Sequence, residues 1–243
     1  MNTVHRIIAI ALCSGLLASA AFAQEPTIEE TPQDVVKYEE SILTSGNTMI
    51  VVEESKVGEV RNLVAYLLQS GRSNAQSGNL ERSAEAFTLA SAYMHVDAGR
   101  GQSRARTRVV EEADLMKELA GMMTAGSKTE MRVVDQRIFG AHRALASYHQ
   151  DRAMKMIREG YNRQAGHALE AAIVHYDHAA WAHARANNTE VSDEVNREVE
   201  DMANIATTLK QAGRSRGEQT ASDDTVAKVR SLGQHIRSLG RAG

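Results

Sequence analysis

Strong helix breakers are almost absent from this chain, and this absence constrains its fold more than any other feature. The 243 residues contain two prolines, Pro26 and Pro32, so only glycine interrupts a helix strongly after Pro32. Alanine, glutamate, arginine, leucine and methionine dominate, and all of them favour helix, whereas aromatic residues make up 4%. The sequence therefore predicts an all-α fold of antiparallel helical hairpins, arranged as a repeat-like array or as an elongated helical bundle.

Turn residues and the spacing of apolar side chains place the helices. The pattern predicts helices over residues 33–44, 54–77, 80–97, 104–124, 128–159, 162–186, 193–212 and 223–239. We therefore expect a helical hairpin domain over 54–212, a polar linker over 213–222 and a C-terminal helix within 223–243.

The N-terminus has the pattern of an export signal. A short basic start precedes an apolar run over residues 7–17, and a small-x-small cleavage site ends at Ala23. Residues 1–23 are therefore predicted to be a signal peptide, which indicates a periplasmic or secreted protein. The single cysteine, Cys13, lies in this segment, so the mature chain would have no disulfide, zinc–thiolate site or cysteine nucleophile. No later run has the roughly 20 apolar residues that a membrane helix needs.

Charge is distributed unevenly along the chain. The formal net charge is −3, so nucleic acid is not an evident partner. Residues 24–53 form an acidic N-terminal segment, whereas residues 208–243 are basic. Two solvated tails are one interpretation, and pairing of the opposed ends within or between chains is the other.

Two stretches of the chain align at a shift of 82 residues, since Gly78 matches Gly160. In both, the glycine is followed by small residues and by one large apolar residue, Phe87 or Leu169. A glycine can end one helix in a left-handed turn, and small residues allow the next helix to approach closely. Such a repeat is typical of stacked helical hairpins.

This spacing resembles the tetratricopeptide repeat. The first unit fits at Leu67, Gly71, Gly78, Leu80, Ser83, Phe87 and Ala90, and the second at Ala153, Gly160, Ala165, Leu169 and Ala172. The chain departs from the family at Ser70, Asn74 and Arg152, lacks the closing prolines, and does not fit over residues 98–145. The resemblance implies a scaffold that binds a protein or peptide through the first helix of each unit. It would place five residues toward the ligand: Arg72, Gln76, Gln150, Met154 and Arg158.

A histidine-rich helix offers an alternative function. The stretch HALEAAIVHYDHAAWAHARA covers residues 167–186, and His175 and His178 are spaced to hold one metal ion on a helix. His142 and His149, seven residues apart on the preceding helix, are the nearest suppliers of further ligands for Zn²⁺ or Cu²⁺. The alternative is therefore a metal- or small-ligand-binding bundle using histidines around 167–183. Surface or partly packed histidines are the other interpretation.

Two further stretches suit partners. The arginine-rich stretch over 99–108 could bind an anionic polymer or an acidic partner, or could be an exposed turn leading into a helix. Apolar residues over 226–239 form a narrow stripe that could pair with a second copy of the chain or fold back on its own helices.

The sequence lacks the familiar catalytic motifs. It contains neither GxSxG nor HExxH, and its glycines do not form a phosphate-binding loop after a strand. It therefore indicates neither an enzyme nor a cofactor. The function predicted is an exported helical scaffold that binds a protein or peptide partner in the cell envelope.

Overall fold

Helices make up nearly all of the chain that the computed structural model describes, which is residues 57–99, 103–127, 129–212 and 221–240. In chain order they are α1 (Val57–Gln76), α2 (Leu80–Ala98), α3 (Arg104–Thr124), α4 (Met131–Arg158), α5 (Asn162–Asn187), α6 (Asp193–Ala212) and α7 (Asp223–Ser238). The all-α prediction is confirmed, and the predicted helix bounds agree with these seven helices to within a few residues. The predicted signal peptide, acidic segment and first short helix lie outside the described residues, as does most of the predicted linker.

Left-handed residues end several of the helices. Gly78 and Gly160 follow α1 and α4 with φ of 77° and 81°. After each glycine, the next backbone N–H bonds back to the last turn of the helix: Asn79 to the Asn74 carbonyl at 2.8 Å, and Tyr161 to the Met156 carbonyl at 2.9 Å. This is the Schellman arrangement, which satisfies carbonyls at a helix end. The two turns therefore have equivalent hydrogen bonds at the same shift of 82 residues.

Close approach of the two helices defines the α1–α2 hairpin. A Cβ atom at Gly71 would lie 2.5 Å from the ring of Phe87, so only glycine leaves room for that ring. The Ser83 hydroxyl also donates to the Gly71 carbonyl at 2.7 Å. In the α4–α5 hairpin the matching positions are Ala153 and Leu169, which belong to one buried apolar cluster. The larger side chain, Phe87, is thus matched with glycine in the α1–α2 hairpin. The smaller one, Leu169, is matched with alanine in the α4–α5 hairpin.

Helix α4 lies at the centre of the described fold, where it contacts α1, α3, α5 and α7. Helix α7 returns to α4, and its residues Val229, Leu232 and Ile236 are fully buried. The apolar stripe that could have paired with a second copy is therefore covered by the chain's own helices. This packing around one central helix makes the fold bundle-like. No helix in the described ranges is long and apolar enough to cross a lipid bilayer.

Candidate functional site

The return of α7 changes the surface expected to face a peptide. Gln150 and Met154 are only 4% and 6% exposed. The Gln150 side-chain amide donates to the Val229 carbonyl at 3.0 Å, and a Cβ at Gly233 would lie 2.8 Å from the same amide. Gln150 and Met154 are therefore buried rather than open to a ligand as expected, and α7 covers Gln150.

Arg72 belongs to a group of ion pairs, centred on Asp135, that joins three helices. Its Nε and Nη2 atoms contact the two carboxylate oxygens of Asp135 at 2.6 and 3.1 Å, and its Nη1 donates to Gln76 at 3.0 Å. Arg185 also donates to Asp135, at 3.2 Å. These contacts join α1, α4 and α5. Arg72 therefore has a packing role, whereas Gln76 is exposed at the end of α1 and Arg158 at the end of α4.

Four histidines lie together between α4 and α5, and we call them the histidine seam: His142, His149, His175 and His178. The Nδ1 atoms of His142 and His175 are 3.0 Å apart. The ring of His178 stacks on that of His142, with centroids 5.0 Å apart, and the ring of His149 stacks on that of His175 at 5.6 Å. The seam unites the two histidine pairs that the sequence offered as ligands.

The interior of the seam favours neutral imidazoles. Burial lowers the pKa of His142 and His175 well below 6.5, and neighbouring imidazoles lower both further. The Nε2 atom of His149, whose ring stacks on that of His175, lies 2.8 Å from a carboxylate oxygen of Asp97. Within the described residues, no group of three or more His, Cys, Asp or Glu side chains has the geometry to hold a metal ion. The hydrogen bond between His142 and His175 and the stacked rings beside it fit a packed network.

An open cleft lies where α3, α4 and α7 meet. Two cavities of about 390 and 290 Å³ adjoin there and share Glu112, Gly140 and Arg143 as lining residues. We call this surface the arginine cleft, since four arginines from three helices line it together with two glutamates: Arg108, Arg137, Arg143, Arg237, Glu111 and Glu112. Its balance of charges favours an anionic ligand.

Arg143 is held in place at the middle of the arginine cleft. Its guanidinium group lies over the ring of Phe139, 5.0 Å from the centroid, and Nη1 donates to the Leu239 carbonyl at 3.2 Å. Both contacts fix the orientation of the planar group before any ligand arrives. A fixed guanidinium loses less conformational entropy on binding a carboxylate than a mobile side chain does.

The carboxylate of Glu112 lies against the α4 backbone at Gly140. A Cβ atom at Gly140 would lie 2.4 Å from a Glu112 carboxylate oxygen, so this approach requires glycine. Burial raises the pKa of Glu112, although the nearby Arg143 and Arg137 guanidinium groups oppose that shift. Glu112 is therefore a partly desolvated carboxylate with two cations nearby.

Sequence reasoning found only part of the arginine cleft. Arg108 belongs to the arginine-rich stretch singled out above, but Arg137, Arg143 and Arg237 come from distant positions and have no shared local pattern. The signal that the sequence did offer for this cleft was Gly140, a glycine inside a helix. Glycine inside a helix costs about 1 kcal/mol relative to alanine, so an interior glycine can mark a close approach.

Comparisons with known proteins give no match: no family model, no curated protein and no solved structure matches this chain. The tetratricopeptide resemblance consequently stays a prediction that rests on the residues quoted for it. Any assignment of function depends on the chemistry of the described side chains.

Proposed function

We propose that this chain is an exported helical scaffold that binds an acidic segment of a protein partner in the arginine cleft. The observation that carries the proposal is the set of four arginines that line two adjoining cavities. A guanidinium group is planar and can bind a carboxylate through two parallel hydrogen bonds. A row of carboxylates on a peptide could therefore engage several of these groups together.

The remaining lining favours a peptide over a purely polar polymer. Val133 and Phe139 line one cavity, and both side chains are partly exposed. Apolar side chains of a peptide could pack on these residues, whereas polyphosphate or an acidic polysaccharide would leave them without comparable contacts. An acidic segment that also carries apolar residues fits the cleft best.

The place of action rests on the sequence. The predicted signal peptide over residues 1–23 supports export, and the absence of cysteine after Cys13 suits a chain whose stability comes from packing alone. The partner would then be a protein of the cell envelope or of the surroundings of the cell.

Charge reversal in the arginine cleft tests the proposal. The probe is a fluorescently labelled oligoglutamate peptide, and binding is measured by anisotropy against an oligoglutamine peptide of equal length. The test variant is Arg137→Glu/Arg237→Glu. The matched control is Arg163→Glu/Arg230→Glu, which makes the same charge change at exposed positions on α5 and α7 outside the cleft lining.

We expect the test variant to bind oligoglutamate about tenfold more weakly than the wild type, which corresponds to about 1.4 kcal/mol of binding free energy. The control should bind within a few-fold of the wild type at physiological salt, where distant surface charges are screened. Equal weakening by both variants would mean that only overall charge matters. Tighter binding of polyphosphate than of oligoglutamate would assign the cleft to an anionic polymer instead.

A further inference from the structure

Glu112 has an unusual position in the arginine cleft. It lines both cavities, and its carboxylate packs on the bare backbone of Gly140 beside Arg143. The place that this carboxylate occupies therefore lies beside Gly140 and Arg143, the two other residues that line both cavities.

We infer that Glu112 is an internal occupant of the arginine cleft, and that a carboxylate of the acidic partner binds by displacing it. This inference rests on the proposed function and deepens it. It assigns Arg137, Arg143 and the backbone at Gly140 to a subsite for one ligand carboxylate, and it makes Glu112 the competitor for that subsite.

The subsite does not depend on Glu112 for its shape. The ring of Phe139 and the carbonyl of Leu239 hold the Arg143 guanidinium in place, so that group stays where it is when the Glu112 carboxylate leaves. Gly140 belongs to the interior of α4, whose hydrogen bonds fix the backbone there. A ligand carboxylate would therefore find the Arg143 guanidinium and the same bare backbone that Glu112 finds now.

Exchange of one carboxylate for another has a small electrostatic cost. The two guanidinium groups keep an anionic neighbour throughout, so no cation is left unpaired in the cleft. Glu112 is partly buried, and rotation of its side chain toward open solvent would restore hydration that burial removes. The internal competitor would also lower the affinity for isolated anions, so that a segment with several carboxylates is preferred over a single ion.

Neutralising the competitor tests the inference. Glu112→Gln preserves the size of the side chain and removes its charge. Glu118→Gln is the matched control, because Glu118 is exposed on the same helix and lies outside the cleft lining. Melting curves for both variants establish that each is folded before its affinity for labelled oligoglutamate is measured.

We expect Glu112→Gln to bind oligoglutamate at least several-fold more tightly than the Glu118→Gln control. Adding Gly140→Ala to the Glu112→Gln variant should abolish that gain, because the new Cβ atom fills the position where a carboxylate packs on the backbone. Equal affinities of Glu112→Gln and Glu118→Gln would overturn the inference. So would a gain that persists with Gly140→Ala.

The outcomes also separate the inference from the proposed function. If the Arg137→Glu/Arg237→Glu variant loses binding while Glu112→Gln gains nothing, the cleft binds acidic segments and Glu112 is not a competitor. If the wild type does not prefer oligoglutamate to oligoglutamine, the proposed function fails and the inference fails with it.

Discussion

The Nδ1 atoms of His142 and His175 face each other at 3.0 Å in the buried interface between α4 and α5. Such a contact is a hydrogen bond only when one nitrogen carries a proton and the other does not. Each ring is almost fully buried, and burial is the largest cause of the lowered pKa of both groups. The α4–α5 interface is therefore built for neutral imidazoles.

Acid should destabilise the fold through this pair. In the unfolded chain both histidines have a pKa near 6.5, whereas in the folded chain the pKa of each lies well below that value. Below pH 6.5 the unfolded state therefore binds more protons than the folded state. We expect the contribution of these two histidines to the free energy of unfolding to be complete above pH 6.5. Below that pH the free energy of unfolding should fall by up to about 1.4 kcal/mol per pH unit for each histidine.

Urea unfolding across this pH range measures the effect. His142→Gln/His175→Gln replaces the pair by side chains that can hydrogen-bond but do not titrate, so the slope below pH 6.5 should shrink. The exposed His167 provides the control, and His167→Gln should leave the slope close to that of the wild type. A wild-type stability that does not change between pH 6.5 and about pH 5 would contradict this account of the seam.

Removing the Asp135 carboxylate charge should be costly. Its side chain is 4% exposed and binds the guanidinium groups of Arg72 and Arg185. Asp135→Asn leaves two half-buried cations without their counterion, and loss of one partner of a buried ion pair costs about 3–5 kcal/mol. Chemical denaturation measures this loss. Asp114→Asn, at the exposed pair with His95, is the control and should change stability little.

The two hairpins should tolerate exchange of their packing pairs. Gly71→Ala alone places a Cβ atom against the Phe87 ring and should cost about 1–3 kcal/mol through overpacking. Adding Phe87→Leu reproduces the Ala153–Leu169 pair of the α4–α5 hairpin and should recover part of that loss. The coupling energy from a thermodynamic double-mutant cycle measures the recovery. Additive effects of the two changes would mean that the hairpins do not share this packing rule.

Metal titration separates the packed seam from the alternative function. If the histidines serve packing, Zn²⁺ or Cu²⁺ should leave the melting temperature unchanged. A metal centre would instead raise the melting temperature, and that rise would disappear in a His175/His178 double substitution. Such a result would move the functional site from the arginine cleft to the seam.

Local signals explain why the helices could be predicted from the sequence. Gly78, Gly126 and Gly160 each adopt the left-handed conformation that ends a helix, and this conformation is a property of the residue itself. The spacing of apolar residues predicts which face of each helix is buried, and this prediction does not require knowing which helix packs against it. All-α hairpins therefore follow from short stretches of sequence.

Relations between distant residues could not be read in the same way. The sequence offered His142 as a possible ligand beside His175, but it did not indicate that the two rings would be buried against each other. Gln150 was expected to be open to a ligand, yet α7 covers it. Its side-chain amide donates to the carbonyl of Val229, which is 79 residues away in the sequence. Tertiary packing decides such partners, and periodicity within one helix contains no information about them.

The most direct test of the central claim is the backbone amide of Gly140, a residue that lines both cavities of the arginine cleft. Two-dimensional NMR of the labelled protein would follow this amide during titration with oligoglutamate. We predict a saturable shift at Gly140 that is absent with oligoglutamine and absent in the Arg137→Glu/Arg237→Glu variant. Binding of oligoglutamate with no shift at Gly140, or with shifts confined to other helices, would contradict the account.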